Sequence, residues 1–350
     1  MDEQVRVPLK TFMVVGDSHL SSVNHGYHLD YPNEALYYEE IFNKIAETEN
    51  VDYYINAGDF VINKEFDLSY RMKVDKILNE RKKLLEKRGG KMIYIKGNHD
   101  ISGKSTTEYN YYVSRGIFEA ASSIPVLNIK NSKDEVVLSV NMHDYNDMGP
   151  VSMEGKYNIL ITHGYFAFDY VLEGEDMPNY GDPVRLTEKT DWAGLDYILC
   201  GHIHTEHIMR GKIQDKPCTV HYLPCMARPQ YIKKYEEGAE AKREGSIDLI
   251  RVYENDIELE RYPIEFLDNK VCFNVERIHS DAAKIEQNLV NKERREALMS
   301  MAEELENYEK RETDPVKQVE QLGNVEQKYK DIVYDWFAVA RENLKTNKLI

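Results

Sequence analysis

Five short apolar runs in this sequence are each followed by side chains that can bind a divalent metal ion. One run, Tyr94 to Lys96, leads into Asn98, His99 and Asp100, which supply an amide, an imidazole and a carboxylate. The other runs lead into aspartates and histidines: Asp17, His19, Asp59, His163, His202 and His204. Such a mixed nitrogen and oxygen set suits manganese, iron or zinc better than calcium. If one carboxylate bridges, these groups suffice for two ions.

The residues between the runs predict helices that alternate with strands. Asn33 is expected to cap a helix that continues to about Thr48, and a second helix is expected from about Phe66 to Arg88. Open α/β sheets place their chemistry at the carboxyl ends of their strands, which is where the polar residues stand. The pattern therefore predicts an α/β fold with the candidate site at one sheet edge.

Further β-type periodicity predicts a second sheet that faces the first. Residues 124–129 and 135–141 are expected to be neighbouring strands separated by a turn. From Thr205 to about Ile264 the pattern is again that of strands, with a charged insertion at 233–244 and a hairpin turn at 252–257.

The composition changes near Glu276 to Glu, Lys, Arg, Ala, Leu and Met. Apolar residues then recur at steps of three and four, which is typical of a heptad-like stripe. Pro315 interrupts the pattern, and a second amphipathic segment begins at about Val316. The sequence therefore predicts a C-terminal helical hairpin.

The overall composition limits the classes of protein to consider. A 42% hydrophobic and 30% charged content is ordinary for a globular enzyme, and no apolar run approaches the length of about 18 residues that a membrane span needs. The start of the chain lacks the apolar core of a signal peptide, and the four cysteines have no recognised spacing. We expect buried free thiols and a cytoplasmic location, in a bacterium or a virus-infected host cell.

The motifs resemble those of the calcineurin-like metallophosphoesterases, which read D-x-H, G-D, G-N-H-D, a lone H and G-H-x-H between Asp17 and His204. The resemblance implies a four-layer metallophosphoesterase sandwich, in which two facing mixed β-sheets are flanked by helices. Residues 1–265 would form this catalytic domain, and residues 266–350 would form the hairpin for a partner or for oligomerisation.

The resemblance also implies roles for the site residues. One ion would be held by Asp17, His19 and His204 and the other by Asn98, His163 and His202, with Asp59 bridging. The ions, most simply manganese, with iron or zinc possible, would activate a hydroxide as the nucleophile. His99 would protonate the leaving group and Asp100 would orient its ring. In the loop after the first strand, His25 and His28 are candidates for substrate binding, although loop histidines are often merely exposed.

The substrate is left open by these motifs. The layout resembles that of the SbcD-like DNA double-strand-break repair nucleases, which implies DNA as substrate and a coiled-coil ATPase of the SbcC type, or a second copy of the chain, as partner. The alternative is a phosphatase or phosphodiesterase acting on nucleotides, cyclic nucleotides or phosphoproteins. A net charge of −16 argues against a broad nucleic-acid surface, while the basic residues 81–91 could contact phosphates or simply be a solvated helix face. The acidic loop 165–182 is a candidate specificity loop. A binding scaffold with a decayed metal site is disfavoured, because no ligand is missing.

Overall fold

The computed structural model describes residues 6–62, 66–101, 108–168, 183–227, 245–267, 269–274 and 326–346, and single helical positions at 276, 277, 280, 284, 287, 292, 296, 317 and 320. Its strands, in chain order, are β1 (Lys10–Val15), β2 (Tyr53–Asn56), β3 (Lys91–Tyr94), β4 (Glu119–Ala120), β5 (Val126–Lys130), β6 (Val136–Met142), β7 (Tyr157–His163), β8 (Phe166–Ala167), β9 (Val184–Arg185), β10 (Tyr197–Gly201), β11 (His207–Ile213), β12 (Lys216–Tyr222), β13 (Ser246–Val252) and β14 (Ile257–Pro263). The helices are α1 (Tyr31–Thr48), α2 (Leu68–Glu86), α3 (Glu108–Ser114), α4 (Asn269–Cys272) and α5 (Gln327–Thr346).

Two mixed sheets of six strands each form the centre of the fold. The first has the order β14-β13-β1-β2-β3-β4, and the second has the order β11-β12-β10-β7-β6-β5. The strands β1 to β4 are parallel, and so are β6, β7, β10 and β12. The carboxyl ends of the central strands of each sheet therefore lie along one edge.

The apolar interior lies between the two sheets and confirms the predicted sandwich. Val14, Ile55 and Ile93 of the first sheet pack in one core with Leu138, Ile159 and Leu199 of the second. The outer face of the first sheet is covered by α1 and α2. On the outer face of the second sheet, the described residues supply 3-10 turns and the β8-β9 pair around the buried Trp192 instead of an α-helix.

The two long helices begin at aspartate caps. The side chain of Asp30, not of Asn33, caps α1, where it accepts a hydrogen bond from the backbone N–H of Asn33. Asp67 caps α2 in the same way. The buried face of helix α2 consists of Tyr70, Val74, Ile77, Leu78, Arg81 and Leu85, whereas Leu68 and Met72 are exposed.

The chain divides into two compact units, Met1–Asn274 and Val275–Ile350. The first unit extends past the expected boundary at residue 265, because residues 272–274 pair with the loop before α1 through the Leu29 and Asn274 amides. In the second unit α5 belongs to the predicted second helix of the hairpin. The rest of that hairpin falls mainly outside the described residues, as do the insertion at 233–244 and residues 169–182 of the acidic loop. No helix in the described ranges is both long and apolar enough to cross a membrane.

Candidate metal centre

The predicted metal ligands follow the central strands of both sheets. Asp17, Asp59 and Asn98 stand just beyond β1, β2 and β3 of the first sheet. His163 is the last residue of β7, and His202 directly follows β10 of the second sheet. Because these strands are parallel, their carboxyl ends bring the side chains together.

A first group of possible ligands contains Asp17, His19, Asp59 and His204. One ligand atom from each residue lies within 4.8 Å of all the others. The Nε2 atoms of His19 and His204 are 2.9 Å apart. Two imidazole nitrogens at this distance need a proton or a cation between them, because two lone pairs repel each other.

A second group contains Asp59, His163 and His202, so Asp59 is common to both groups. Asn98 joins this group, because its Oδ1 lies 2.9 Å from His163 Nε2 and 2.9 Å from His202 Nδ1. The Nδ1–H of His163 donates to the Ala57 carbonyl at 2.9 Å, so Nε2 is the ring nitrogen that faces Asn98 and Asp59. Converging acceptors of this kind are the donor set that a divalent cation requires.

The backbone at the site is held in an uncommon conformation. Four site residues have positive φ angles, in the left-handed region that residues other than glycine rarely adopt. The values are 47° at His19, 46° at Asp59, 105° at His202 and 63° at His204. Such strain persists only where surrounding contacts enforce it, and it concentrates at functional sites.

A family model independently covers most of this framework. The model described as calcineurin-like phosphoesterase matches residues 10–206, from the start of β1 to just beyond His204. The chain belongs to the calcineurin-like phosphoesterase family.

The other comparisons add two solved structures. A dimetal phosphatase from Danio rerio gives a TM-score of 0.43 at 11% identity, with 75% of this chain and 100% of that chain covered. Purple acid phosphatase PPD1 from yellow lupin (Lupinus luteus) seeds gives a TM-score of 0.38 at 10% identity, with 75% of this chain and 55% of that chain covered. A search of the curated proteins found no match.

The electrostatics of this phosphoesterase site separate its two aspartates. Burial and the neighbouring Asp59 charge raise the pKa of Asp17 to about 7, although His163 opposes the shift. Burial also acts against the charge of Asp59, but His163 and His19 hold the pKa of Asp59 well below its usual value. Burial would lower the pKa of His163, yet Asp59 and Asp17 raise it to about 9. A proton on His163 thus supplies the positive charge that a cation would otherwise bring.

The remaining site histidines are favoured in the neutral form. Burial and His163 lower the pKa of His202 to about 4, and the pKa of His204 is also lowered to about 4, mainly by burial. Burial and His204 bring the pKa of His19 well below its ordinary value. Neutral imidazole is the form that binds metals.

His99 lies at the open side of the site. Its side chain is 41% exposed, and its Nε2 is 4.0 Å from Asp59 Oδ2. Its ring meets the ring of His19 edge to face, and its backbone N–H donates to Asp59 Oδ1 at 2.8 Å. His99 is therefore beside the metal groups and accessible to a substrate.

Asp100 does not have the expected position against the His99 ring. Its Oδ2 accepts hydrogen bonds from the backbone N–H groups of Asp59 and Gly97, and its Oδ1 accepts one from the Tyr94 hydroxyl at 2.6 Å. Buried and bonded in this way, Asp100 joins the loop of Asp59 to the loop of Asn98. The prediction that it orients His99 is corrected, because its carboxylate is engaged by these backbone donors.

The two loop histidines differ from each other. His28 is buried, and its Nδ1–H donates to Glu34 Oε2 at 2.7 Å, so it stabilises the start of α1 and is not available to a substrate. His25 is half-buried, lies 2.9 Å from Ser21 Oγ and packs against Tyr31, whose hydroxyl donates to the His19 carbonyl. A substrate contact by His25 stays a prediction.

Sequence reasoning missed Tyr145 as a site residue. Its ring centroid lies 5.9 Å from those of both His163 and His202. The Tyr145 backbone N–H donates to the Lys96 carbonyl, and the Lys96 backbone N–H donates to the Asp144 carboxylate, which holds the loop of Tyr145 beside Asn98. The signal was present, since polar residues also follow the apolar run of β6, but this run has no metal-ligand motif.

Proposed function

We propose that this chain hydrolyses phosphoesters with two divalent metal ions held between the two sheets. The observation that carries the proposal is the convergence of ligand atoms from both sheets on Asp59. Asp17, His19 and His204 would hold one ion, Asn98, His163 and His202 would hold the other, and Asp59 would bridge them. The mixed donor set favours manganese, with iron or zinc as the other candidates.

The residues around the ions have separate tasks. Two bound ions neutralise phosphoryl charge and lower the pKa of a water molecule. The hydrogen bond from His163 to Ala57 keeps its Nε2 free of a proton when an ion is bound. His99, at the open side of the metal centre, can donate a proton to the leaving-group oxygen of the phosphoester. A sugar alkoxide is a poor leaving group without that proton, whereas an aryl oxide is stable enough to leave without it.

For the substrate, we propose the phosphodiester bonds of DNA. The similarity of the motif layout and the C-terminal helices to the SbcD-like nucleases supports this substrate, as does the provision of an acid for an alkoxide leaving group. On α5, Trp336 and Val339 are exposed, which supports a partner surface for a coiled-coil ATPase or a second copy of the chain.

A small phosphoester is the second candidate, and the placement of basic residues favours it. Arg81 is buried against Glu39, and Arg88 donates to the carbonyls of Ala46 and Val51. These two arginines of the 81–91 stretch are therefore not available to a phosphate backbone. With a net charge of −16, this leaves a nucleotide, a cyclic nucleotide or a phosphoprotein as the alternative substrate.

The deciding experiment is manganese-dependent degradation of end-labelled single- and double-stranded DNA, beside a chromogenic phosphodiester and a panel of nucleotides. Asp59→Asn should abolish all cleavage, and His99→Ala should slow alkyl esters more than aryl esters. DNA that stays intact at low salt while nucleotides are hydrolysed would exclude the nuclease. An absence of hydrolysis of every substrate with each of the three metals would exclude the phosphoesterase.

A further inference from the structure

A buried polar contact crosses the sandwich beneath the metal centre. The Nδ1–H of His221, on β12 of the second sheet, donates to Asp248 Oδ2, on β13 of the first sheet, at 2.7 Å. Both side chains are buried, with 2% and 0% of their surface exposed. Asp248 is paired in register with Val14 and His221 with Leu199, and both of these neighbours belong to the apolar core between the sheets.

The contact continues to the loop that carries His204. Glu206 Oε1 lies 3.4 Å from His221 Nε2 and accepts a hydrogen bond from the Ser246 hydroxyl at 2.9 Å. Glu206 also pairs with the guanidinium of Arg261 on β14. We call Asp248, His221, Glu206 and Arg261 the inter-sheet clamp, because they connect both sheets and the loop after β10.

Stability alone does not explain a clamp of this kind. Burying charged groups carries a desolvation penalty that an apolar pair of similar volume avoids. Within the described part of the chain, neither Asp248 Oδ1 nor His221 Nε2 has a hydrogen-bond partner, and Glu206 only approaches the latter, so part of that penalty is not offset. In some proteins, however, a buried polar contact fixes the relative placement of the elements that it joins, which apolar packing alone does not.

The clamp joins the two sheets close to the strand ends that carry the metal ligands. Val14 precedes Asp17 by three residues on one sheet, and Leu199 precedes His202 by three on the other. Asp17 and His202 are themselves linked, since the His202 backbone N–H donates to Asp17 Oδ2 at 2.9 Å. Each ligand group takes residues from both sheets, so any displacement of one sheet relative to the other changes the distances within both groups.

We propose that the inter-sheet clamp sets the spacing of the two ligand groups and thereby the metal affinity of the centre. Its four members are positioning residues, and the inference rests on the proposed two-metal function. A change in the clamp should alter metal binding while the fold is retained.

The test compares the full-length wild type with a His221→Leu, Asp248→Val double variant. Calorimetry measures Mn²⁺ binding, and electron paramagnetic resonance measures the magnetic coupling between the two bound ions. Removing both partners avoids an unpaired buried charge. We expect the affinity for at least one ion to fall about tenfold or more, as for other residues that orient metal ligands, and the coupled signal to weaken. If the double variant kept the wild-type Mn²⁺ affinity and magnetic coupling, the proposed role of the clamp would be overturned.

A matched control removes a different buried polar pair. Glu39 and Arg81 join α1 to α2 on the outer face of the first sheet, with side chains 2% and 0% exposed. A Glu39→Leu, Arg81→Met variant should change the melting temperature but keep wild-type Mn²⁺ affinity. An equal loss of affinity in this control would attribute the effect to general destabilisation and overturn the clamp.

A second variant covers the case in which the double variant does not fold. Asp248→Asn keeps the shape of the side chain and an acceptor for His221 but removes the charge, so we expect an intermediate affinity. Unchanged affinity and coupling in this variant would also count against the clamp. If the wild type itself binds no Mn²⁺, Zn²⁺ or Fe²⁺, the proposed function fails first, and the role of the clamp fails with it.

Discussion

The two ends of the sheets both collect charged side chains, but they arrange them differently. At the carboxyl ends of the central strands lie the two aspartates and four histidines of the candidate centre. At the opposite end is a cleft of about 560 Å³, lined by charged residues that include Arg6, Arg88, Arg251, Glu49 and Asp52.

At the cleft, the charges are paired with one another. Arg251 lies between Glu49, at 2.7 Å, and Glu260. Asp52 accepts hydrogen bonds from Lys10 Nζ and from the Thr11 backbone N–H. At the metal centre, by contrast, like groups face each other, and the φ angles are strained. The convergence of metal-ligand groups at strained backbone positions, more than the number of charges, distinguishes the functional end.

The largest expected difference between the ends is the effect of neutralising an aspartate. Mutation of a residue that only supports a metal ligand typically lowers activity by up to about 100-fold. Asp59→Asn should lower phosphoester turnover by more than that, because Asp59 is shared by both ligand groups. Asp52→Asn should instead lower the free energy of unfolding by about 1–3 kcal/mol through its lost hydrogen bonds, with kcat unchanged. Turnover and urea denaturation of both variants test this contrast. Similar losses of turnover would contradict it.

Glycines near each aspartate offer a second comparison. A Cβ at Gly97 would overlap the Asp59 carboxylate, and one at Gly90 would overlap the Asp52 carbonyl. Gly97→Ala should reduce turnover by about 100-fold, since a ligand displaced by about 1 Å can have that effect. Gly90→Ala should reduce only the melting temperature. Full activity in Gly97→Ala would mean that Asp59 can move without consequence.

The pH dependence of metal binding should separate the protonated ligands from the neutral ones. A metal must displace the protons on Asp17 and His163, whose pKa values are raised to about 7 and about 9. Affinity for Mn²⁺ should therefore rise between about pH 6 and about pH 9, by about tenfold per pH unit for each proton displaced. His202 and His204, with pKa values of about 4, should not contribute. Calorimetry in buffers of different ionisation enthalpy measures the proton release, and a pH-independent affinity would refute this assignment.

The smallest expected effect concerns an aromatic residue at each end. Tyr145→Ala should raise the KM for nucleotide or DNA substrates about fivefold or more, if its ring stacks on a base, while Tyr145→Phe should preserve KM. Tyr253, which lines the opposite cleft beneath Arg6, provides the control, and Tyr253→Ala should leave KM unchanged. A loss of Mn²⁺ affinity in Tyr145→Ala would show that the ring supports His163 and His202 and does not contact substrate.

Local patterns predicted some parts of the fold better than others. The strands before Asp17, Asp59 and His163 were evident because each is a short apolar run that ends in polar residues. Helix ends were less certain, since Asp30 and Asn33 are both good caps, although Pro32 in the first turn favours Asp30. The buried face of α2 was not evident either, since Leu68 and Met72 recur at helical spacing with Ile77 but are exposed, because which face of a helix is buried depends on the sheet beneath it.

The sequence by itself determined the ligand types, their order and their places after the strands, because these depend on periodicity over a few residues. The family followed from the same motifs. Tertiary structure alone decided that Asp100 holds two loops, that His28 pairs with Glu34 while His99 stays open, and that Tyr145 and the inter-sheet clamp belong to the neighbourhood of the site. Several of these contacts join residues far apart in the chain, and even the local ones depend on which side chains the two sheets bury.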